Sequence, residues 1–265
     1  MNYGFIGLGN MAQAIIKGMI GSGSFDSNSI YGLNRSLEKT ESLVKEYNIQ
    51  ACTTIEEILS KSEVIVLAVK PQVLPSILPT VRQNLRDGQI IISIAAGKTL
   101  QYLQGNLKED TTIFRVMPNI NAMIGASTSC YSTSPTTSSA HKRLVEEMFT
   151  TVGSIVELPE NLFSIFTTIG CASPAFTYLY IDSLARAAVS EGMPKQMALQ
   201  IAANAVLGSA KMVLESSDHP WSLIDQVCSP GGTTIQGVTS LQINHFESTI
   251  YDAVAAVTNK DKSLQ

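Results

Sequence analysis

Two short glycine-rich stretches carry the clearest chemistry in this chain. Gly7-Leu8-Gly9-Asn10-Met11-Ala12 has the pattern G-x-G-x-x-A and lies between an apolar run ending at Ile6 and an amphipathic run beginning at Met11. In that setting the first glycine permits a tight turn and the second lets the backbone approach a pyrophosphate. The small third residue lets the helix pack on the strand. A helix start offers free N–H groups and a partial positive charge to phosphate oxygens, so this turn is predicted to hold a dinucleotide. Ser229-Pro230-Gly231-Gly232-Thr233-Thr234 opens a second helical run, again with consecutive glycines at the start, now among hydroxyls. It reads either as a capping turn or as a cradle for a small anion such as a substrate carboxylate, and the second is the expectation.

The kind of dinucleotide is decided where the second strand ends. An NAD site carries Asp or Glu there for the ribose hydroxyls. Here the residues are Leu33-Asn34-Arg35-Ser36, and the next carboxylate is Glu38. Arg35 suits adenine stacking and a 2′-phosphate, and Asn34 and Ser36 can donate to the same group. A solvated turn before a helix is the plain alternative. NADPH is the expected cofactor, with NADH left open.

The remaining acid–base inventory is thin. His141, His219 and His245 flank neither glycine turn and read as surface or capping residues. The cysteines, Cys52, Cys130, Cys171 and Cys228, are scattered without metal spacing, so no metal site is expected and incidental thiols are favoured over a disulfide framework. Enzymes that move hydride to or from an oxygen-bearing carbon need a group to manage the proton. A nicotinamide turn without such a group suits a cyclic imine, whose protonated nitrogen already makes the adjacent carbon electrophilic.

These turns need elements to hold them. Residues 2–7, 29–33, 63–69, 89–95 and 113–117 read as strands, and 11–20 and 37–47 as helices, which together indicate a parallel sheet covered on both faces. The Ser/Thr-rich stretch Ser127 to Ser139 reads as a polar loop. Beyond about residue 160, segments 163–191, 195–215, 221–227, 233–243 and 246–258 are all helical in pattern. The expected fold is α/β: an N-terminal Rossmann-type doubly wound domain over 1–160 and an all-helical dimerisation and substrate-binding domain over 161–265. Alanine and leucine cover more than one face of 195–215, which predicts at least a homodimer.

Composition narrows the class further. Of 265 residues, 45% are hydrophobic and 15% charged, which excludes bulk disorder. A formal net charge of −4 argues against a nucleic-acid surface. No uninterrupted apolar run approaches the ~20 residues of a membrane helix. The first residues lack the basic stretch of a signal peptide, so a cytoplasmic protein without a membrane partner is expected.

The ordered set Phe5-Ile6-Gly7-Leu8-Gly9-Asn10-Met11, Ala68-Val69-Lys70-Pro71, Ser93-Ile94-Ala95-Ala96-Gly97, Met117-Pro118-Asn119, Ser173-Pro174-Ala175-Phe176, Ala210-Lys211-Met212 and Ser229 to Thr234 resembles the pyrroline-5-carboxylate reductase family over nearly the whole chain. The resemblance implies NADPH across the first turn, with Ile6, Gly7, Gly9, Asn10 and Met11 against it. It also implies that Ala68, Val69, Lys70, Pro71, Ala95, Ala96 and Gly97 border the nicotinamide and its ribose, with Asn119 close by. Ser229, Gly231, Gly232, Thr233 and Thr234 would take the carboxylate of 1-pyrroline-5-carboxylate, and the Thr234 hydroxyl would meet the ring nitrogen as the product L-proline forms. That loop is implied to work across an interlocked dimer, which in the family often assembles into larger rings.

The chain departs from the family pattern at Cys171-Ala172-Ser173, where Gly-Ser-Gly is usual, and at Ile120-Asn121, where Thr-Pro is usual. Ile224 replaces a basic residue and Ile55 an asparagine. These departures motivate a non-enzymatic or regulatory paralogue as one alternative. A 3-hydroxyacid dehydrogenase is another, but it needs a lysine on the long helix, and residues 163–191 contain only Arg186 as a cation. Arg35→Ala is expected to narrow the preference for NADPH over NADH about tenfold, read as the ratio of the two dissociation constants; an unchanged ratio would remove Arg35 from the site.

Overall fold

A strand such as Val64-Ile65-Val66-Leu67, apolar at every position, must be covered on both faces. In the computed structural model, which describes residues 1–263 and only the backbone of Leu37 and Lys39, all four of these side chains are fully buried in an eight-stranded sheet. In chain order the elements are β1 (Tyr3–Ile6), α1 (Asn10–Gly21), β2 (Ile30–Leu33), α2 (Leu37–Tyr47), β3 (Gln50–Ala51), α3 (Ile55–Lys61) and β4 (Val64–Leu67). Then come α4 (Leu74–Asn84), β5 (Ile90–Ser93), α5 (Leu100–Asn106), β6 (Thr112–Met117), β7 (Ser127–Thr133), α6 (Ser139–Thr150) and β8 (Gly153–Glu157).

The strand order is β3-β2-β1-β4-β5-β6-β7-β8, and every pairing from β3 through β6 is parallel. The first six positions reproduce the doubly wound order of dinucleotide folds, with the chain crossing from one side of β1 to the other between β3 and β4. One register row runs Leu33, Ile6, Leu67, Ser93, Arg115, so the loops leaving β1, β2, β4 and β5 all emerge at the same edge. One face of the sheet buries Phe5, Ile15, Met19, Phe114 and Phe149; the other buries Ile58, Leu59, Ile65, Leu78 and Ile91.

The stretch Ser127 to Ser139 is not simply the polar loop expected. Residues 127–133 form β7, antiparallel to β6 and parallel to β8. Small hydroxylated side chains are compatible with a pleated surface once their oxygens are paired. Ser127 and Ser129 are buried and their hydroxyls lie 3.1 Å apart, while Tyr131 is fully buried against Phe114.

The helical half begins with a single turn of tight helix at Glu160–Leu162, then α7 (Phe163–Phe166), a π-helical stretch at Thr167–Ala172 and α8 (Ser173–Ser190). The break in the expected continuous helix has a local cause. Pro174 has no N–H to offer the Gly170 carbonyl four residues back, and the buried Asn119 side-chain amide donates to that carbonyl instead at 2.7 Å. The start of this run is pinned by charge. The Glu160 carboxylate accepts from Arg115 Nη1 and from the Leu100 N–H, both at 2.7 Å, and the guanidinium lies 4.3 Å from the Phe163 ring centre.

Two compact units divide the chain: residues 1–171 with the last stretch from Lys260, and residues 172–259. The second holds α8, α9 (Lys195–Glu215), α10 (Pro220–Val227), α11 (Thr233–Ile243) and most of α12 (Phe246–Lys262). Among the described residues its only buried apolar ones are Ala185, Ala198 and Ala202, between α8 and α9. Leu179, Leu207, Leu214, Ile243 and Tyr251 are all more than 60% exposed. A unit with so small an interior cannot offset its ordering entropy alone.

Residues 160–190 and 195–215 are also long and apolar enough, by length and composition, to cross a membrane. The expectation from uninterrupted runs overlooked this because alanine, serine and threonine interleave with the larger side chains. Helices that cover another protein surface have the same average.

Glu160→Ala should lower the melting temperature at fixed protein concentration. It strands Arg115, whose side chain is 3% exposed, and loss of one partner of a buried pair costs roughly 3 kcal/mol. Glu160→Gln, which keeps an acceptor, should cost less.

Candidate functional site

The loops at the carboxyl edge of the parallel strands hold most of the residues singled out above. Gly7 sits at φ +99°, and a Cβ there would lie 2.7 Å from the Ala68 carbonyl oxygen. Only glycine fits, because the turn after β1 is pressed against the loop after β4. The Gly7 N–H also donates to the Leu33 carbonyl at 2.8 Å, which ties the same turn to the end of β2. Ala12 is fully buried under α1, as the third position of the motif requires.

Gly9 is different. It has ordinary dihedrals, and a Cβ there would meet nothing within 4 Å. It is the N-cap of α1 and supplies no side-chain acceptor to the helix. By contrast, α3, α5, α6 and α10 are capped by the side chains of Thr54, Thr99, Ser138 and His219. The first N–H groups of α1 are thus left to an external acceptor over open space, without an acidic residue in the first turn to compete. This cradle fits a dinucleotide pyrophosphate.

The neighbouring loops contribute unevenly. Asn10, Lys70, Ala96, Arg35 and Ser36 are exposed, and Met11, Asn34, Ala68, Val69, Pro71 and Gly97 partly so. Ile6 and Ala95 have their side chains in the core, leaving only backbone for contact. Asn119 is 5% exposed and already engaged. Its amide donates to Gly170, its Oδ1 accepts from the Asn121 N–H, and its own N–H donates to Ser127 Oγ.

The helical unit repeats the uncapped start. Gly232 is the N-cap of α11 with φ −75° and ψ 176°, against −74° and 177° at Gly9, and it too makes no side-chain cap. Gly231 precedes it at φ +68°, where glycine is favoured. A Cβ on Gly232 would lie 2.4 Å from Ser229 Oγ, so that hydroxyl occupies the space beside the turn. Ser229, Thr233 and Thr234 are exposed.

His219 Nδ1 accepts the Trp221 N–H at 3.2 Å as a helix cap, His141 lies in the first turn of α6, and His245 turns the chain at φ +62° between α11 and α12. Burial pushes the thiols of Cys52 and Cys171 up to about 11 and that of Cys130 up to about 12, so none is a ready nucleophile. All four cysteines are free, and no metal-binding group of His, Cys, Asp or Glu occurs among the described residues. Sequence reasoning missed Thr40, Arg115 and Glu160, which hold the loops from behind; their roles depend on partners distant in the fold and carry no local pattern.

The nucleotide unit matches, over residues 2–97, the family described as NADP oxidoreductase, coenzyme F420-dependent. Fold and first turn together define a Rossmann-type NAD(P)-dependent oxidoreductase. Residues 160–264 match the family described as pyrroline-5-carboxylate reductase dimerisation. The pyrroline-5-carboxylate reductase of Escherichia coli (strain K12) is 35% identical over 261 residues, covering 98% of this chain and 97% of that protein. That of Arabidopsis thaliana is also 35% identical, covering 98% and 94%. The solved enzyme from Coxiella burnetii superposes with a TM-score of 0.95 at 29% identity, covering 100% of this chain and 98% of the other. The Plasmodium falciparum structure with NADP bound gives 0.87, also at 29% identity and with the same coverage. The chain belongs to the pyrroline-5-carboxylate reductase family.

The two glycines of the first turn should respond oppositely to substitution. Gly7→Ala should lower the melting temperature, through positive φ and the Ala68 clash. Gly9→Ser should hold or slightly raise it, since a serine N-cap is better than glycine by only a few tenths of a kcal/mol. The same Gly9→Ser change should weaken dinucleotide binding about tenfold or more in a fluorescence titration, because the new hydroxyl caps the helix.

Proposed function

We propose that this chain reduces the cyclic imine 1-pyrroline-5-carboxylate to L-proline with NADPH, the last step of proline biosynthesis. The observation that carries the reading is the pair of glycine-capped helix starts with matching dihedrals, one in each unit, in a chain collinear with pyrroline-5-carboxylate reductases. On this reading residues 1–160 form the NADP(H) domain and residues 161–265 the dimerisation and substrate domain.

When bound, the nicotinamide supplies a hydride for the imine carbon. Everything else is done by the chain. Gly7, Gly9, Asn10 and Met11 offer backbone to the pyrophosphate; Asn34, Arg35 and Ser36 meet the 2′-phosphate; residues 68–71 and 95–97 and the Asn119 region border the nicotinamide ribose. The N–H groups of Gly231, Thr233 and Thr234, with the hydroxyls of Ser229 and Thr233, hold the substrate carboxylate, while the Gly232 N–H closes the turn on the Ser229 carbonyl at 3.0 Å. The Thr234 hydroxyl orients the ring nitrogen, which stays in the ring and keeps its proton as the C=N double bond becomes the C–N bond of a secondary amine. No ionising catalyst is required, because the protonated imine is already electrophilic. The gain comes from orientation and from fixed N–H dipoles in place of mobile water.

Exposed Leu179, Leu207 and Leu214 support a homodimer through the helical unit, with further assembly into a ring of dimers. The free cysteines and net charge of −4 support a cytoplasmic protein acting on a small molecule, with neither membrane nor nucleic acid as partner.

The test is NADPH consumption, followed by absorbance, with 1-pyrroline-5-carboxylate, and proline identified as product. Tight NADPH binding without turnover would overturn the reading in favour of a non-enzymatic relative. Thr234→Ala should lower kcat about ten- to a hundredfold with the NADPH dissociation constant unchanged, since one orienting bond to substrate is lost. A comparable loss of cofactor affinity would show that the second cradle is misassigned.

A further inference from the structure

We propose that Thr40 is a positioning residue for recognition of the 2′-phosphate: its buried hydroxyl fixes the peptide from which Asn34, Arg35 and Ser36 project. The inference rests on the reading of the turn after β2 as the site that distinguishes NADPH from NADH.

The argument turns on a single peptide plane. Its carbonyl belongs to Leu33 and accepts the Gly7 N–H at 2.8 Å. Its N–H belongs to Asn34 and donates to Thr40 Oγ1 at 3.2 Å. The plane is therefore held at one end by the glycine turn of the pyrophosphate cradle and at the other by the first turns of α2. Thr40 is 1% exposed, and its hydroxyl donates in turn to the Ser36 carbonyl at 3.1 Å, which also accepts the Thr40 N–H at 3.1 Å. One oxygen thus joins the beginning of the three-residue turn to its end.

A helical threonine bonding back to the carbonyl four residues earlier is common and by itself says little. The second bond, accepted from outside the helix, is the distinguishing feature. Without it the Leu33–Asn34 plane loses its bond on the Asn34 side and keeps the one from Gly7, and its rotation changes ψ of Leu33 and φ of Asn34 together. Asn34 is half-buried, whereas Arg35 is exposed and makes no ion pair among the described residues. A ligand that uses this turn must then supply the ordering entropy. A nucleotide with a bare 2′-hydroxyl has less call on the turn, so loss of Thr40 should act on preference more than on overall affinity.

Thr40→Val keeps the branched shape and removes the hydroxyl; Thr40→Ala removes it without the branch; Thr40→Ser restores it. Calorimetry with adenosine 2′,5′-bisphosphate and adenosine 5′-monophosphate isolates the 2′-phosphate without catalysis. Valine and alanine should weaken the bisphosphate about three- to tenfold, the worth of one hydrogen bond, and leave the monophosphate nearly unchanged. Serine should restore the wild-type ratio. Equal loss of both nucleotides, or retention of the full preference in Thr40→Val, would overturn the role of Thr40 alone. Wild-type protein binding both nucleotides equally would overturn the reading of the turn, and the proposal with it.

Discussion

A helix begins with backbone N–H groups that have no partner inside it, and a protein must give them one. In α3, α5, α6 and α10 a side chain at the N-cap does so. α4, α7, α8 and α9 have no side-chain cap either, but only in α1 and α11 is the N-cap residue among these a glycine, whose missing side chain leaves the first N–H groups open to an acceptor from outside. Each glycine forgoes a side-chain acceptor at a cost of only a few tenths of a kcal/mol. An anion arriving at such a site finds donors that are already aligned, and little reorganisation is required to bind it.

The rest of the nucleotide unit keeps the first of these helix starts in place. The parallel order brings the loops of β1, β2, β4 and β5 to one edge, and Gly7 locks the first of them against Ala68 and Leu33. Behind that edge, Glu160 bonds at once to Arg115 in β6 and to the first N–H of α5, which directly follows the 95–97 loop. Asn119 supports a different place. Its amide satisfies the carbonyl that Pro174 leaves without a donor, so the π-helical stretch is a consequence of sequence chemistry and not a distortion in search of a cause.

What could be read from residues alone follows the physics of each segment. Val64 to Leu67 announces itself because burial on both faces leaves no polar position. Gly7 and Gly9 announce themselves by spacing, although the spacing does not show that one glycine is confined and the other open. β7 was hidden because serine and threonine are as common in loops as in strands, and only the pairing with β6 distinguishes them. β8 was hidden by its exposure, and β3 by having two residues. Arg115 and Glu160 are 45 residues apart, and nothing local to either points to the other. The exposed apolar faces of α8 and α9 were legible in part: the crowding on 195–215 was visible, but not how little interior the whole unit possesses.

That last feature bears on how copies of the chain affect one another. In the proposed dimer, the surfaces that meet lie in the helical unit, while the nucleotide turn lies elsewhere in the chain. A copy injured only around Gly7 or Gly9 would still pair with a sound one and occupy its place in the assembly. Damage confined to the nucleotide turn thus leaves pairing intact, whereas damage to the helices removes the surfaces through which copies would pair.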